Sequence, residues 1–427
     1  MKVRAALTPT IALVLLAGCA AQPQPARVVV IERPTPTPSE NRNGTDAASL
    51  GAPETMAMML PEAVAERGES PAPVNIRPLV GERGSTEVGT QNVSRVSFAE
   101  EGGDFDPCVS RDGRTLVYSS TRHRATSDIY MQRVGSRVVT QLTNDVGQDV
   151  MPKLSPDGSM IAFASDRSGN WDIFVMPVEG GKAVQVTADP SHEVSPSWSP
   201  DGSRLVFSRL GEASGRWEMW VTSLAKPGVS RYIGPGLFPQ WCPVAGTGGE
   251  GADRILYQLG RERGRRAFGL WTLDLSDAGE AGNATQIASS AGQALINPSW
   301  SPDGGWVVFV RVPLDAARPD GPATPHTPNV RSSSVWMASV EGEGELRLTT
   351  GHGAALSPIW SRDNRLFFVS NLGGRENIWS ADLTRAIATA SAMIDAGERR
   401  AVTHEPTDHD AGRHGEAVAS EEGASEE

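Results

Sequence analysis

"PKLSPDGSMIAFASDRSGNWDIFVMPVEGGKAVQVT", residues 152–187, is one complete unit of a pattern that recurs along the chain. It opens at a proline, passes through Ser-Pro-Asp-Gly and enters the apolar run "MIAFAS". A polar loop, an aromatic-bearing run "DIFVM" and a closing "AVQVT" follow. The same order restarts at Pro107, Pro152, Pro196, Pro239, Pro298 and Pro358. The turn is "SPDG" from Ser155, Ser199 and Ser301, "SRDG" from Ser110 and "SRDN" from Ser361. The run after it reads "TLVYSS", "MIAFAS", "RLVFSR", "RILYQL", "WVVFVR" and "RLFFVS"; the third run is "DIYMQ", "DIFVM", "EMWVT", "GLWTL", "SVWMA" and "NIWSA". Short apolar runs joined by Asp-Gly are hairpin chemistry, because glycine reaches positive φ at little cost. Four strands repeated six times predict an all-β fold, a six-bladed β-propeller. Closing the ring needs a strand from one terminus in a blade begun by the other. Both "NVSRVSF" (92–98) and "RRAVTHE" (399–405) suit that role, and the sequence does not choose.

The flanks read differently. Residues 1–18 have the form of a signal peptide: positive "MKVRA", apolar "IALVLLAG", then Cys19 after Leu16-Ala17-Gly18. The ending "LAGC" resembles the bacterial lipoprotein signal, which makes Cys19 the expected site of lipid attachment; the plainer alternative is a secretory peptide that happens to contain a cysteine. The apolar run is too short to span a bilayer as a helix. Residues 19–91 are Pro/Ala-rich and suit an extended tether; at ~3.1 Å per residue such a stretch reaches on the order of 200 Å. Residues 405–427 form an acidic tail, leaving 92–404 for the propeller. Cys108 and Cys242 fall on opposite sides of the ring and are expected to stay unbridged.

The units at 152–187 and "PSWSPDGSRLVFSRLGEASGRWEMWV" resemble the repeats of TolB-like propellers, over about residues 92–404. The resemblance implies the fold directly. For function it implies a periplasmic, envelope-associated protein that binds a partner, since one family member binds a peptidoglycan-associated lipoprotein through its propeller. Similar repeats also gate propeller-containing peptidases and form some pectin-fragment lyases.

The 427 residues carry a net charge of −12, which argues against general nucleic-acid binding. Lysine is confined to Lys2, Lys153, Lys182 and Lys226, so the cations are almost all arginine, suited to carboxylate and phosphate pairing. In an antiparallel propeller the second-to-third and blade-to-blade loops share one face. Arg122, Arg167, Arg209, Arg261, Arg311 and Arg375 map there, with Arg263, Arg265 and Arg266 beside Arg261. They are the expected partner-binding face, unless neighbouring acids brace them, as Asp166 and Asp172 could brace Arg167 and Glu376 could brace Arg375. The long insertion 312–334 of blade 5 is on the same face, and Trp171 and Trp217 are either exposed anchors or buried between blades. His123, His192 and His352 map there too, as the weak alternative of a metal or lyase site. No G-x-S-x-G, H-E-x-x-H or cysteine pair at metal spacing occurs. The expectation is therefore a non-catalytic, lipid-anchored envelope scaffold without cofactor or metal. It faces the periplasm, on the outer rather than the inner membrane, is monomeric and meets an envelope protein or a peptidoglycan-associated partner. The alternative is a lyase-like or hydrolytic enzyme at the channel mouth.

Overall fold

The recurring Ser-x-Asp-Gly turn is a closed hydrogen-bond loop. In the computed structural model Ser155 Oγ donates to Asp157 Oδ1 at 2.5 Å and accepts the Met160 N–H at 2.9 Å, while Asp157 Oδ1 accepts the Ser159 N–H at 3.1 Å. Gly158 takes φ +75°, where a β-carbon would crowd the following carbonyl. The same serine–aspartate pair recurs at Ser110, Ser199, Ser301 and Ser361. In the last turn Asn364 replaces glycine at φ +57°, which asparagine tolerates. The serine hydroxyl holds the Asp157 carboxyl below its usual value, with the Ser159 hydroxyl and N–H adding to it.

These turns join the first and second strands in five of six sheets arranged as blades; in blade 4 a longer connection, 242–252, takes their place. The structure describes the strands Arg27–Val29 and Thr86–Glu87 and residues 90–403, without 261–267, 291, 314–331, 342–343 and 350–353. The innermost strands are Asp104–Val109, Asp149–Leu154, Glu193–Trp198, Leu237–Trp241, Gln293–Trp300 and Ala355–Trp360. Each touches the next around the axis, and the last touches the first. The ring is six-bladed and closed.

Every innermost strand carries a bulge where its register shifts. The bulged residues, Asp106, Met151, Ser195, Phe238, Asn297 and Ser357, all have φ between +48° and +57°. Each precedes the proline that opens its repeat. Proline has no N–H to give a ladder, so a bulge is where a strand accommodates it. The freed N–H groups tie blades together: Met151 to Ser119 Oγ (3.2 Å), Phe238 to Ser208 Oγ (3.1 Å) and Asn297 to Gln258 Oε1 (3.1 Å).

The second strands are apolar without alternation because neighbouring blades cover both their faces. Phe163, Phe207, Phe309 and Phe367 are all fully buried. Trp171 and Trp217 are half-buried against this packing.

The N-terminal strand closes the ring. Gln91–Arg95 pairs antiparallel with Asn377–Asp382 as the outer strand of blade 6, and the N–H groups of Val96 and Ser97 both reach Ile378 O. The expectation of a strand over 399–405 is corrected: through Thr403 these residues lie in a helix, Thr384–Thr403. Asp382 Oδ1 caps it by accepting the Thr384 N–H at 2.7 Å. Ala386 and Ala390, one turn apart, bury against Met337, Leu346, Trp360 and Leu366. Once an alanine-rich amphipathic run is capped and docked, the short "AVT" at its end continues it.

Two short strands from the stretch read as a tether also pair with the propeller. Arg27–Val29 runs antiparallel to Val139–Gln141 in blade 1, and Thr86–Glu87 parallel to Leu346–Arg347 in blade 5. Cys108 and Cys242 are free, buried thiols in blades 1 and 4. Among the described residues no helix is long and apolar enough to cross a membrane.

Candidate functional site

The arginines of the loop face are positioned by a rule the repeats share. In blade 1, Arg122 Nη2 lies 2.8 Å from both carboxylate oxygens of Asp104, and its Nε donates to Ser120 Oγ at 3.1 Å. The guanidinium also lies over the rings of Tyr118 and Tyr130, at 5.4 and 5.1 Å. Blade 2 repeats this atom for atom. Arg167 Nη2 reaches Asp149 at 2.7 and 2.8 Å, Nε reaches Ser165 at 2.8 Å, and Phe163 and Phe174 lie beneath at 5.4 and 5.0 Å. The acid stands three residues before the repeat proline; the arginine stands two after the serine that ends the second strand. Asp166 and Asp172, expected as the braces of Arg167, do other work. Asp166 accepts the Gln148 N–H, and Asp172 accepts from Ser168 and Gln185.

Blades 3 and 5 use different registers for the same end. Arg209 pairs with Asp189 and lies 4.4 Å over Trp220. Arg311 pairs with Glu345 and lies 4.1 Å over Trp336. Arg122, Arg167, Arg209 and Arg311 thus each face a carboxylate and an aromatic ring of the propeller itself. Arg375 differs. It is exposed beside a pocket between blades 6 and 1 and has no ion-pair partner among the described residues, Glu376 included. Arg261, Arg263, Arg265, Arg266, His352, Cys19 and most of the blade 5 insertion lie outside the described residues.

His123 and His192 are both exposed, in separate blades. The His123 ring lies tilted at 60° to that of Tyr130, 5.9 Å between centroids, and His192 Nδ1 accepts the Trp171 N–H at 3.4 Å. Among the described residues no three His, Cys, Asp or Glu side chains group as metal ligands.

Two acids missed by sequence reasoning stand out. Asp106 is the bulged residue of blade 1, and burial raises its carboxyl to about 6 against the N–H of Met151, the charge of Lys153 and the hydroxyl of Ser119. Glu193 occupies in blade 3 the place of Asp104 and Asp149, but Arg209 pairs elsewhere. Burial raises its carboxyl to about 7, opposed by a bond to Thr187 and reinforced by the charge of Asp172. Its Oε2 is buried with no hydrogen-bond partner. The signal was present: Gly211 stands where blades 1 and 2 carry Arg122 and Arg167.

Residues 85–230 match the family model of the TolB beta propeller domain. Within that stretch the repeats are of the TolB propeller type. Among solved structures, the ring is similar to a putative TolB from Agrobacterium tumefaciens at 19% identity, over 65% of this chain and 89% of that one, with a TM-score of 0.47. An oligogalacturonate lyase from Vibrio parahaemolyticus is similar at 13% identity, over 68% and 93%, with a TM-score of 0.46. TolB from Acinetobacter baumannii matches at 19% identity, over 60% and 57%, with a TM-score of 0.43.

Proposed function

We propose that this protein is a lipid-anchored recognition scaffold of the cell envelope, attached through Cys19 and facing the periplasm. Its TolB-type propeller binds another macromolecule, a protein or cell-wall polymer, and performs no chemistry. The observation that carries this reading is the bracing of the loop face. Arg122, Arg167, Arg209 and Arg311 are each fixed by a carboxylate and an aromatic ring, which presets the loops and lowers the ordering cost of binding. TolB-like propellers mediate protein interactions in the envelope, which supports a protein partner in general.

Crosslinking in intact cells tests it, comparing the natural chain with a variant in which Arg261, Arg263, Arg265 and Arg266 are changed to Ser. The expected result is a reproducible crosslink from the loop face to one envelope component, lost in the variant. Crosslinks confined to residues 19–91 and 405–427, and unchanged in the variant, would overturn the loop-face assignment.

The enzyme reading has one observation in its favour: Asp106 and Glu193, with carboxyls near neutrality, have the values expected of general acids or bases. Turnover of an acidic oligosaccharide, lost in Asp106→Asn or Glu193→Gln, would replace the scaffold reading with that one.

A further inference from the structure

Ring closure brings four chain segments to one pocket of about 480 Å³ between blades 6 and 1. Arg95 ends the closing strand, Phe98 lies in the connection into blade 1, Arg137 precedes the outer strand of blade 1, and Arg375 sits in the second-to-third loop of blade 6. The ring of Phe98 is 36% exposed, unusual for phenylalanine, yet two cations bracket it: Arg95 at 4.9 Å and Arg137 at 4.7 Å. Arg95 is held there by its bonds from Nε to Ser97 O (2.9 Å) and from Nη2 to Ala99 O (3.4 Å). Its Nη1 looks toward Gly373, where an added β-carbon would stand 3.6 Å away.

None of the three guanidiniums has an ion-pair partner among the described residues, and Glu100 is the one acid lining the pocket. Like charges gathered this closely repel one another until an anion joins them. Elsewhere on the loop face Arg122, Arg124, Arg167, Arg209 and Arg311 already have their anion. Guanidinium forks match carboxylates two oxygens at a time, and the Phe98 ring between them offers an apolar contact. Glu100 at the margin and the net charge of −12 oppose a dense polyanion. A chain alternating carboxylates with apolar side chains satisfies all of these features.

We propose that the seam between blades 6 and 1 binds an acidic peptide segment of a partner protein, with Arg95, Arg137 and Arg375 taking its carboxylates and Phe98 an apolar side chain between them. This site shares Arg375 with the loop face but none of the braced arginines, and stands or falls independently of them.

The test is fluorescence anisotropy on the full chain with a fluorescein-labelled peptide of alternating Glu and Leu, beside the same peptide with Gln for Glu. The acidic peptide is expected to bind at least tenfold more tightly than the amide peptide, with affinity falling steadily as salt rises. The triple variant R95S/R137S/R375S is expected to lose at least tenfold. Gly373→Asp keeps every cation but sets a carboxylate beside Arg95, and is expected to lose binding as well, with an unchanged melting curve showing that the fold is intact. Equal affinity for the two peptides, or acidic-peptide binding unchanged in both variants, would overturn the proposal. Truncation after residue 404 decides the source. Unchanged affinity supports a ligand supplied by a partner, whereas a tenfold gain would assign the pocket to the chain's own acidic tail and overturn that source.

Discussion

Blades 1 and 2 differ from blade 3 in one ion pair, and the difference shows what an arginine is for in this ring. Asp104, Asp149 and Glu193 all stand three residues before the repeat proline, deeply buried at the head of an innermost strand. The first two meet a guanidinium through both oxygens. The third does not, because Gly211 replaces the arginine and Arg209 pairs with Asp189. Glu193, without such a partner, is pushed by burial toward its neutral form, with a carboxyl near 7. A buried carboxylate thus survives here by acquiring either a partner or a proton.

The largest expected effect comes from breaking a pair on one side only. Asp149→Ala leaves Arg167 charged over Phe163 and Phe174 with no carboxylate opposite except Asp145, 3.4 Å away and more exposed. Removing one member of a buried pair costs about 3–5 kcal/mol, and the melting midpoint in urea should fall accordingly. A loss under about 1 kcal/mol would mean that Asp145 takes over, and that blade 2 is not braced in the way its geometry suggests.

Glu193 supplies the complementary test through pH. Its folded value, about 7, lies above the ordinary 4.5, so between those values the native state holds the proton more tightly than the unfolded chain does. Stability conferred by that proton is complete below about pH 4.5 and is lost as pH rises through 7. Glu193→Gln, an isostere of the protonated acid, should flatten this slope and gain at most about 3 kcal/mol at pH 8. Urea midpoints measured from pH 5 to pH 8 check it. A slope that persists in the variant would locate the titrating group elsewhere, with Asp106 the next to test.

The turn, the bulge proline and the order of strands were legible because they are local: each depends on residues within about six positions. The arginine positions were legible too, but not their partners. Asp104 and Arg122 are eighteen residues apart, and only knowledge of the strand register shows that they meet. The braces proposed from adjacency, Asp166 and Asp172 for Arg167 and Glu376 for Arg375, failed for that reason. Neighbours in sequence alternate in direction along a strand or turn away in a loop. The choice between the two closing strands was invisible because it rests on whether 384–403 docks as a helix. The seam pocket was invisible because four distant segments build it.

A smaller effect separates the parts of one brace. Ser165→Ala removes the acceptor of Arg167 Nε while leaving both contacts to Asp149. The loss should be about 1.5–3 kcal/mol, the range of a single bond to a charged group, below that of Asp149→Ala. If the two variants are equally destabilised, the serine and the carboxylate act as one cooperative unit, and the brace cannot be divided into separate bonds.

Arg375→Ser is expected to have the smallest effect on folding, and that is its value. The side chain is exposed and has no ion-pair partner among the described residues, so its removal should shift stability by no more than about 0.5 kcal/mol. A residue that holds nothing in place, set beside two more cations and an exposed aromatic ring, gives no structural return for its charge. The braced arginines lose their partners' stability when mutated; this one should lose only a ligand. Thermal melts of Arg375→Ser beside Asp149→Ala measure that contrast directly. A destabilisation of Arg375→Ser above about 1 kcal/mol would show that the seam arginines are braced after all and would erase the distinction between the two sets.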